Sequence, residues 1–230
     1  MIKAKKISKK YNDKLALNEL SFSIAPGEIF CLLGQNGAGK TTTINIFLGL
    51  IKPTSGEALI DGVPVLDNKK TRGSIAYIPE TVQLYRNLSG IENLDFFSQL
   101  AGFKYKKEEL IHFLKQANLQ EEACFKKLAS YSKGMRQKIG IAVALAKNAN
   151  YILMDEPTSG LDPKASVEFA NTCKQLAANG VGIFMTTHDI FNAVNIGSRI
   201  GIMKEGSLIH TTETAYITAQ ELQDLYIKTI

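Results

Sequence analysis

The sequence predicts an α/β fold that combines a parallel sheet covered by helices, an antiparallel β portion and a mostly helical insertion. Three apolar runs without polar alternation predict strands buried on both faces, and they span residues 29–33, 151–154 and 181–185. A helical pattern over about residues 164–178 separates the last two runs. A strand, a helix and a strand in this order form a βαβ unit, which is the basis of the parallel sheet.

The antiparallel portion is predicted near the N-terminus. Residues 20–24 alternate between apolar and serine side chains, which is typical of a strand with one buried face. Further on, Asp61 and Gly62 lie between two apolar runs, and an Asp-Gly pair in that position predicts a β-hairpin.

The middle of the chain is predicted to be helical. Between about residues 88 and 127 the sequence is rich in Leu, Phe, Lys, Glu and Gln, and apolar side chains recur at helical spacing, as at Leu110, Phe113, Leu114 and Ala117. We therefore expect a single domain over residues 1–230. The β portion and the core would occupy about residues 1–80 and 148–230, and the helical insertion about residues 81–147.

Composition excludes several classes of protein. Hydrophobic residues make up 45% and charged residues 21% of the 230 residues, which is ordinary for a folded globular chain and excludes wholesale disorder. No apolar stretch reaches the roughly 18 residues that a membrane span requires. The formal net charge of +5 permits an anionic partner. Cys31, Cys124 and Cys173 share no metal-binding spacing, so we expect buried free thiols in a reducing compartment.

A glycine-rich motif lies between the first apolar run and a predicted helix. It matches the pattern G-x-x-x-x-G-K-[ST] and consists of Gly34, Gln35, Asn36, Gly37, Ala38, Gly39, Lys40 and Thr41. The glycines allow backbone N–H groups to close around phosphate oxygens, and the helix N-terminus adds its dipole. Lys40 is expected to reach the β- and γ-phosphates, and the Thr41 hydroxyl to bind Mg²⁺. The following helix is predicted to place Ile44, Leu48 and Ile51 on one face.

Two acidic residues and a histidine follow the other two apolar runs. Asp155 and Glu156 come directly after the second run, and His188 follows the third. The carboxyl ends of parallel strands form the ligand-binding edge of such a sheet. Asp155 can hold Mg²⁺ through water, and Glu156 can orient an attacking water or accept its proton. The acidic pair could instead begin a helix before Pro157, and a histidine at a strand end could have a structural role.

Five segments of the chain form a pattern when they are taken together. They are the glycine-rich motif, the sequences YSKGMRQ at residues 131–137, LMDEPT at 153–158 and SGLD at 159–162, and His188. Together they resemble the nucleotide-binding subunit of an ATP-binding cassette (ABC) transporter. Their order is that of the Walker A, signature, Walker B, D-loop and H-loop motifs of the family. The resemblance implies a P-loop NTPase core of the ABC type, with ATP and Mg²⁺ as ligands.

The resemblance also assigns residues around the nucleotide. Tyr11 stands where the family stacks an aromatic ring on adenine, although a tyrosine can also pack at a turn. Thr42 extends the phosphate-binding motif. Glu80 stands at the Q-loop position, where the family has glutamine. Its carboxylate still offers an oxygen to Mg²⁺ and to the attacking water, but it adds a negative charge beside the phosphates, so we expect a catalytic and metal-binding role with altered metal dependence.

The signature motif of the chain departs from the usual Leu-Ser-Gly-Gly-Gln. Ser132 and Gly134 are retained, whereas Lys133 replaces the first glycine and Met135 the glutamine. In the family this motif binds the γ-phosphate of a nucleotide held by the opposite subunit, and we expect the same of Ser132, Lys133 and Gly134. Asp162 resembles the D-loop carboxylate that links the two nucleotide sites of a dimer.

The resemblance implies an ATP-hydrolysing motor subunit of an ABC transporter, and the signature variant favours export. A second ATP-binding subunit, identical or closely related, is expected to associate with it when ATP is bound. Membrane-spanning subunits are expected on separate chains and would dock near residues 84–94. The protein would then be cytoplasmic and peripheral on the inner face of the cell membrane, with no nucleic-acid partner.

Two other interpretations remain open from the sequence. A non-transport ABC ATPase could act on the ribosome or on DNA, but such proteins usually carry two cassettes, long coiled coils or zinc motifs, and the sequence shows none of these. A binding module could keep the fold without hydrolysing ATP. The presence of Lys40, Asp155, Glu156 and His188 argues against this third interpretation.

Overall fold

In the computed structural model, which describes residues 1–66 and 69–230, the strands form two sheets. In chain order the strands are β1 (Ile2–Tyr11), β2 (Lys14–Ile24), β3 (Ile29–Gly34), β4 (Ser55–Ile60), β5 (Val63–Pro64), β6 (Ile75–Ile78), β7 (Tyr151–Asp155), β8 (Gly182–Thr187), β9 (Arg199–Lys204) and β10 (Ser207–Glu213). The helices are α1 (Lys40–Phe47), α2 (Lys69–Ser74), α3 (Gly90–Leu100), α4 (Lys107–Gln116), α5 (Glu121–Cys124), α6 (Lys133–Ala146), α7 (Pro163–Ala178), α8 (Ile190–Ile196) and α9 (Ala219–Thr229).

The smaller sheet is antiparallel and has the strand order β2-β1-β4-β5. The predicted hairpin is present, since Ile60 pairs with Val63 across a two-residue turn. The turn residues Asp61 and Gly62 have φ of 49° and 78°. Positive φ at both positions gives a turn whose twist matches that of the flanking strands, which is why Asp-Gly is a strong hairpin signal.

The larger sheet has the order β10-β9-β3-β8-β7-β6, and every pair is parallel except β9 with β10. All residues of β3 are buried, as the absence of alternation predicts. Ile29, Cys31 and Leu33 join the core formed with the helices α3–α9, whereas Phe30 and Leu32 join a second core. That second core contains α1 and the antiparallel sheet, so helices cover one face of the parallel sheet and mainly a second sheet covers the other.

Helix α1 is shorter than predicted. Ile44 is buried as expected, but the helix ends at Phe47 with Leu48 as its C-cap, so Ile51 lies outside it. Gly49 has a φ of 69°, the left-handed conformation that terminates helices and that glycine adopts without steric cost. The prediction that Ile51 shares a helix face with Ile44 and Leu48 is therefore wrong.

The segment between β6 and β7 contains α3–α6, whose Leu94, Leu114 and Ile139 belong to the core on the helical face of the parallel sheet. Cys31 is a free buried thiol, and burial raises its pKa to about 12. Cys124 and Cys173 are also free and buried, as expected. In the part of the chain that the structure describes, no helix is both long and apolar enough to cross a membrane.

The parallel register brings the carboxyl ends of three strands to one edge of the sheet. Strands β3, β8 and β7 are neighbours, and each leads directly into a segment with candidate site residues. The glycine-rich loop follows β3, Asp155 and Glu156 lie at the end of β7, and His188 follows β8. The fold therefore assembles the site from segments that lie far apart in the sequence.

Candidate active site

The glycine-rich loop connects β3 to the N-terminus of α1. Gly37 and Gly39 have φ of 87° and 110°, conformations that L side chains rarely adopt. A Cβ on Gly39 would also lie 2.6 Å from the carbonyl oxygen of Ala16, whereas nothing lies within 4 Å of a Cβ built on Gly37. Both glycines are thus required by backbone conformation, and the space beside Gly37 is open for a ligand.

Lys40 begins α1, and its side chain is buried in the loop. The Nζ donates a hydrogen bond to the carbonyl oxygen of Gly34 at 2.6 Å and a longer one to that of Gln35 at 3.3 Å. The same ammonium lies 3.2 Å from Oε1 of Glu156. The cation is therefore held at the loop and can exchange these partners for phosphate oxygens.

The next residue along α1 links the loop to β7. The Thr41 hydroxyl donates to Oδ2 of Asp155 at 3.0 Å, and the hydroxyl of Thr186 on β8 donates to Oδ1 at 2.5 Å. Burial, together with the negative charge of Asp155, raises the pKa of Tyr77. Among the described residues no group of three or more His, Cys, Asp or Glu side chains could hold a metal ion. A hydroxyl and one carboxylate suit Mg²⁺, which usually keeps waters and takes further oxygens from substrate phosphates.

Glu156 has a left-handed backbone conformation with a φ of 46°. Such strain in a residue other than glycine costs about 1–3 kcal/mol and concentrates at functional sites. Its amide donates to the carbonyl oxygen of Thr186 at 3.1 Å and lies 3.2 Å from the Thr186 hydroxyl. The end of β8 therefore fixes the backbone of Glu156.

The Glu156 carboxylate is held from two sides. Its Oε2 lies 2.8 Å from Nδ1 of His188 and accepts a hydrogen bond from the His188 amide at 3.2 Å. Its Oε1 is buried and makes no well-directed hydrogen bond among the described residues, although Lys40 Nζ is 3.2 Å away. The distance allows Coulombic attraction, but the poor angle leaves a lone pair of this oxygen free to accept a proton. Burial, together with the charge of Glu156, raises the pKa of Tyr226 on α9.

Glu80 lies after β6 at the rim of the same site. Its Oε1 accepts a hydrogen bond from the Ser159 hydroxyl at 3.0 Å and lies 3.8 Å from Nζ of Lys133. The backbone carbonyl of Glu80 accepts from Nε2 of the buried Gln137 at 3.1 Å. Glu80 is therefore connected both to the segment after β7 and, through Lys133 and Gln137, to α6.

These groups enclose a cavity of about 360 Å³ beside the glycine-rich loop. Its lining includes most of the predicted nucleotide-binding residues: Tyr11, Gln35, Asn36, Gly37, Gly39, Lys40, Thr41, Thr42, Glu80, Asp155 and Glu156. Tyr11 is 44% exposed at the rim, with Nζ of Lys9 at 4.9 Å from its ring centroid. The ring is thus exposed rather than packed in the core, and Lys9 lies over one of its faces. Gly34 and Ala38 do not line the cavity; Gly34 instead supplies a carbonyl to Lys40, and Ala38 is buried.

Ser132, Gly134 and Asp162 of the signature and D-loop lie in a different place, whereas Lys133 of the same signature reaches Glu80 at the rim of the loop cavity. Ser132 caps α6, with its hydroxyl accepting from the Met135 amide at 3.2 Å, and Asp162 caps α7, with Oδ1 accepting from the Ala165 amide at 2.9 Å. Ser132, Gly134 and Asp162 line a separate cavity of about 580 Å³, which shares no lining residue with the cavity at the glycine-rich loop among the residues described. Within one chain the structure therefore does not bring these residues to the loop.

Sequence reasoning missed two groups of supporting residues. Thr186 holds both Asp155 and the backbone of Glu156, and Ser159 and Gln137 hold Glu80. Thr186 could have been noted as a polar residue near the end of an otherwise apolar strand. Ser159 and Gln137 lie in the D-loop and signature segments, but the sequence does not show that they contact Glu80, because they meet it only through the packing of α6 and the segment after β7.

Comparison with known proteins places these features in a family. A family model described as ABC transporter matches residues 17–159. The chain is 34% identical to the probable multidrug ABC transporter ATP-binding protein YbhF of Escherichia coli K12, over 97% of this chain and 39% of that protein. It is also 34% identical to the SkfA peptide export ATP-binding protein SkfE of Bacillus subtilis 168, over 99% of this chain and 90% of that protein. The chain thus spans well under half of the first relative and nearly all of the second.

Solved structures agree with these sequence relatives. An ATP-binding subunit of an ABC transporter superposes with a TM-score of 0.85 at 30% identity, covering 99% of this chain and 98% of that one. The dimeric bacterial ABC transporter cassette MJ0796 superposes with a TM-score of 0.79 at 32% identity, covering 93% of this chain and 99% of that one. The predicted fold class, with a parallel core, an antiparallel sheet and an inserted helical segment, is confirmed.

Proposed function

Because the chain belongs to the ABC transporter family of ATP-binding proteins, we propose that it is the ATP-hydrolysing motor subunit of a transporter. The observation that carries this proposal is one cluster at the end of three parallel strands. There Lys40 lies 3.2 Å from Glu156, Glu156 lies 2.8 Å from His188, and Thr41 donates to Asp155 at 3.0 Å. A phosphate-binding cation, a metal-binding pair and an oriented base are the parts that phosphoryl transfer to water requires.

The reaction assigns a task to each side chain. Lys40 binds phosphate oxygens in place of the carbonyls of its own loop, and Thr41 and Asp155 offer oxygens to Mg²⁺. When bound, Mg²⁺ neutralises the charge of the phosphates. Glu156 orients a water molecule and accepts its proton as a P–O bond forms to the water oxygen, while the bond between the γ-phosphorus and the ADP oxygen breaks. His188 holds Oε2 of Glu156, so Oε1 is the oxygen that accepts the proton of water.

A second ATP-binding subunit completes the site in this proposal. Ser132, Gly134 and Asp162 line a cavity apart from the glycine-rich loop, so one chain presents two half-sites. Head-to-tail pairing of two identical or closely related chains would set each loop against the partner's Ser132, Lys133 and Gly134. The dimeric arrangement of the similar cassette MJ0796 supports such pairing.

Membrane-spanning subunits on separate chains are the further partners we propose, with the protein on the inner face of the cell membrane. Near residues 84–94, Tyr85 and Phe96 are exposed, and their rings are in edge-to-face contact with centroids 4.9 Å apart. Leu94 is buried, so its side chain cannot contact a partner. Transport outward is the direction we propose, since relatives include a peptide export ATP-binding protein and a probable multidrug transporter protein.

The oligomeric state tests the pairing. We expect the Glu156→Gln variant to be monomeric without nucleotide and dimeric with Mg·ATP in light scattering at micromolar concentration, because bound phosphates offset the charge of Lys40 and Lys133 across the interface. The matched control carries Glu108→Gln, an exposed change on α4, and should not accumulate the dimer while it turns over ATP. A stable dimer without ATP, or no dimer with it, would contradict the proposal.

Mg²⁺ dependence tests the metal-binding role of Glu80. Glu80→Gln keeps the shape of the side chain and removes one negative charge beside the metal, so this variant should require more Mg²⁺ for half-maximal ATPase activity. Phosphate release measured across a range of Mg²⁺ concentrations, with Glu108→Gln as the control, gives the comparison. Identical Mg²⁺ curves for Glu80→Gln and the unmodified protein would show that Glu80 does not act on the metal.

A further inference from the structure

Two of the departures from the family pattern meet each other in this structure. Glu80 replaces the Q-loop glutamine and Lys133 replaces the first signature glycine, and Nζ of Lys133 lies 3.8 Å from Oε1 of Glu80. The same oxygen accepts the Ser159 hydroxyl at 3.0 Å. Gly160, one residue further along, is also near, since a Cβ built on it would lie 3.9 Å from Nζ of Lys133. One carboxylate oxygen thus joins the Q-loop, the start of α6 and the segment after β7.

The backbone on which Glu80 sits is fixed, so the side chain is the part that can change partners. Gln137 on α6 is buried and donates to the carbonyl oxygens of Pro79 at 3.4 Å and Glu80 at 3.1 Å. The Glu80 and Lys133 side chains are 54% and 31% exposed. A pair this accessible is weak and readily exchanged, whereas its backbone anchor is not.

The Glu80 carboxylate also faces a competing partner. Glu80 lines the cavity that contains Thr41 and Asp155, the pair of oxygens that suits Mg²⁺, whereas Lys133 and Ser159 do not line it. If Oε1 of Glu80 turns toward a divalent cation in this cavity, it loses its contacts with Ser159 and Lys133. For this oxygen, the contacts in the present structure and contact with a metal are therefore alternatives.

We propose that Glu80 is a latch that restrains Lys133 in the nucleotide-free subunit and releases it when Mg·ATP enters the cavity of the same chain. The release frees the Lys133 ammonium at the start of α6, where the proposed dimer presents it to the nucleotide of the partner. Occupancy of one site thus prepares the half-site that the chain offers to the other. The regulatory role of the latch rests on the proposed function. The latch itself is a contact within one subunit and does not depend on that function.

Chemical labelling of lysines tests the latch without nucleotide. We expect acetylation of Lys133, followed by mass spectrometry, to be roughly 2- to 5-fold faster in Glu80→Gln than in the unmodified protein, the scale of an exposed ion pair. Lys138, on the same helix and paired with Glu168 at 2.6 Å, serves as the internal control and should not change. Equal labelling of Lys133 in the two proteins would overturn the proposal. Because this measurement requires no nucleotide, its outcome is independent of the proposed function.

A coupling experiment tests the link to the metal. At nanomolar protein, where chains are monomeric, Lys133→Met should lower the Mg²⁺ concentration for half-maximal binding of a fluorescent ATP analogue by roughly 2- to 5-fold, since Glu80 is then unrestrained. Simple loss of a cation acts on Mg²⁺ and on the polyanion whether or not Glu80 carries a charge, so the Glu80→Gln background separates it from release of Glu80. In a Glu80→Gln background Lys133→Met should not lower this concentration. The coupling would be overturned if Lys133→Met lowered the Mg²⁺ concentration in the Glu80→Gln background as well, or if it did not lower this concentration when Glu80 is present. Failure of every variant to bind the analogue would instead refute the proposed function.

Discussion

Glu156→Gln is expected to slow ATP hydrolysis by at least about 100-fold, the usual scale for loss of a general base. The amide keeps the shape of the carboxylate but does not accept a proton from water at neutral pH. ATP binding should persist, because the change removes a negative charge 3.2 Å from Lys40 and leaves that ammonium free for phosphate. Single-turnover phosphate release and a nucleotide-binding titration, measured on the same preparation, separate the two effects.

The control for this variant is Glu108→Gln, which makes the same chemical change on the exposed first turn of α4. It should hydrolyse ATP at the rate of the unmodified protein. His188→Ala provides a further comparison, since it leaves the carboxylate in place but removes the contact of 2.8 Å that holds Oε2. If Glu156→Gln turned over ATP normally, Glu156 would have to be removed from the catalytic role.

Lys40→Ala is expected to abolish measurable ATP binding. Hydrogen bonds to charged groups contribute about 1.5–3 kcal/mol each, so loss of contacts to two phosphates weakens binding by about 100-fold or more. Titration with a fluorescent ATP analogue measures the affinity, and Lys174→Ala, an exposed change on α7, is the matched control. Unchanged affinity in Lys40→Ala would contradict the assignment of the glycine-rich loop as the phosphate site.

Folding of the Lys40→Ala variant needs its own measurement. The change leaves the mostly buried Glu156 without its nearby cation, and a buried charge that loses its partner destabilises a protein. Thermal unfolding followed by circular dichroism should show a lower melting temperature but a cooperative transition. Adding Glu156→Gln to Lys40→Ala removes the unpaired charge, so it should restore part of the stability without restoring ATP binding.

The local parts of this protein could be predicted from its sequence, because each depends on residues that are close in the chain. A non-alternating strand, a glycine-rich loop and a helix need only neighbouring side chains and backbone conformations, so the order of residues is enough to place the phosphate loop between β3 and α1. Likewise Asp155 and Glu156 could be placed at a sheet edge, because they end an apolar run. The resemblance to the ABC family, carried by these same short motifs, was confirmed by the family match.

Tertiary structure alone decided which distant residues meet. Thr41 and Asp155 are 114 positions apart, and Glu80 and Ser159 are 79 apart, and their contacts exist only because strands and helices pack in one register. The packing of α3 likewise buries Leu94 in the core, although its segment was expected to face a partner. Spacing in the chain shows which residues can share a local element, but it does not show which surfaces of separate elements pack together. For this reason the contact of Glu80 with Lys133, two departures from the family pattern that the sequence displays separately, became visible only in the folded chain.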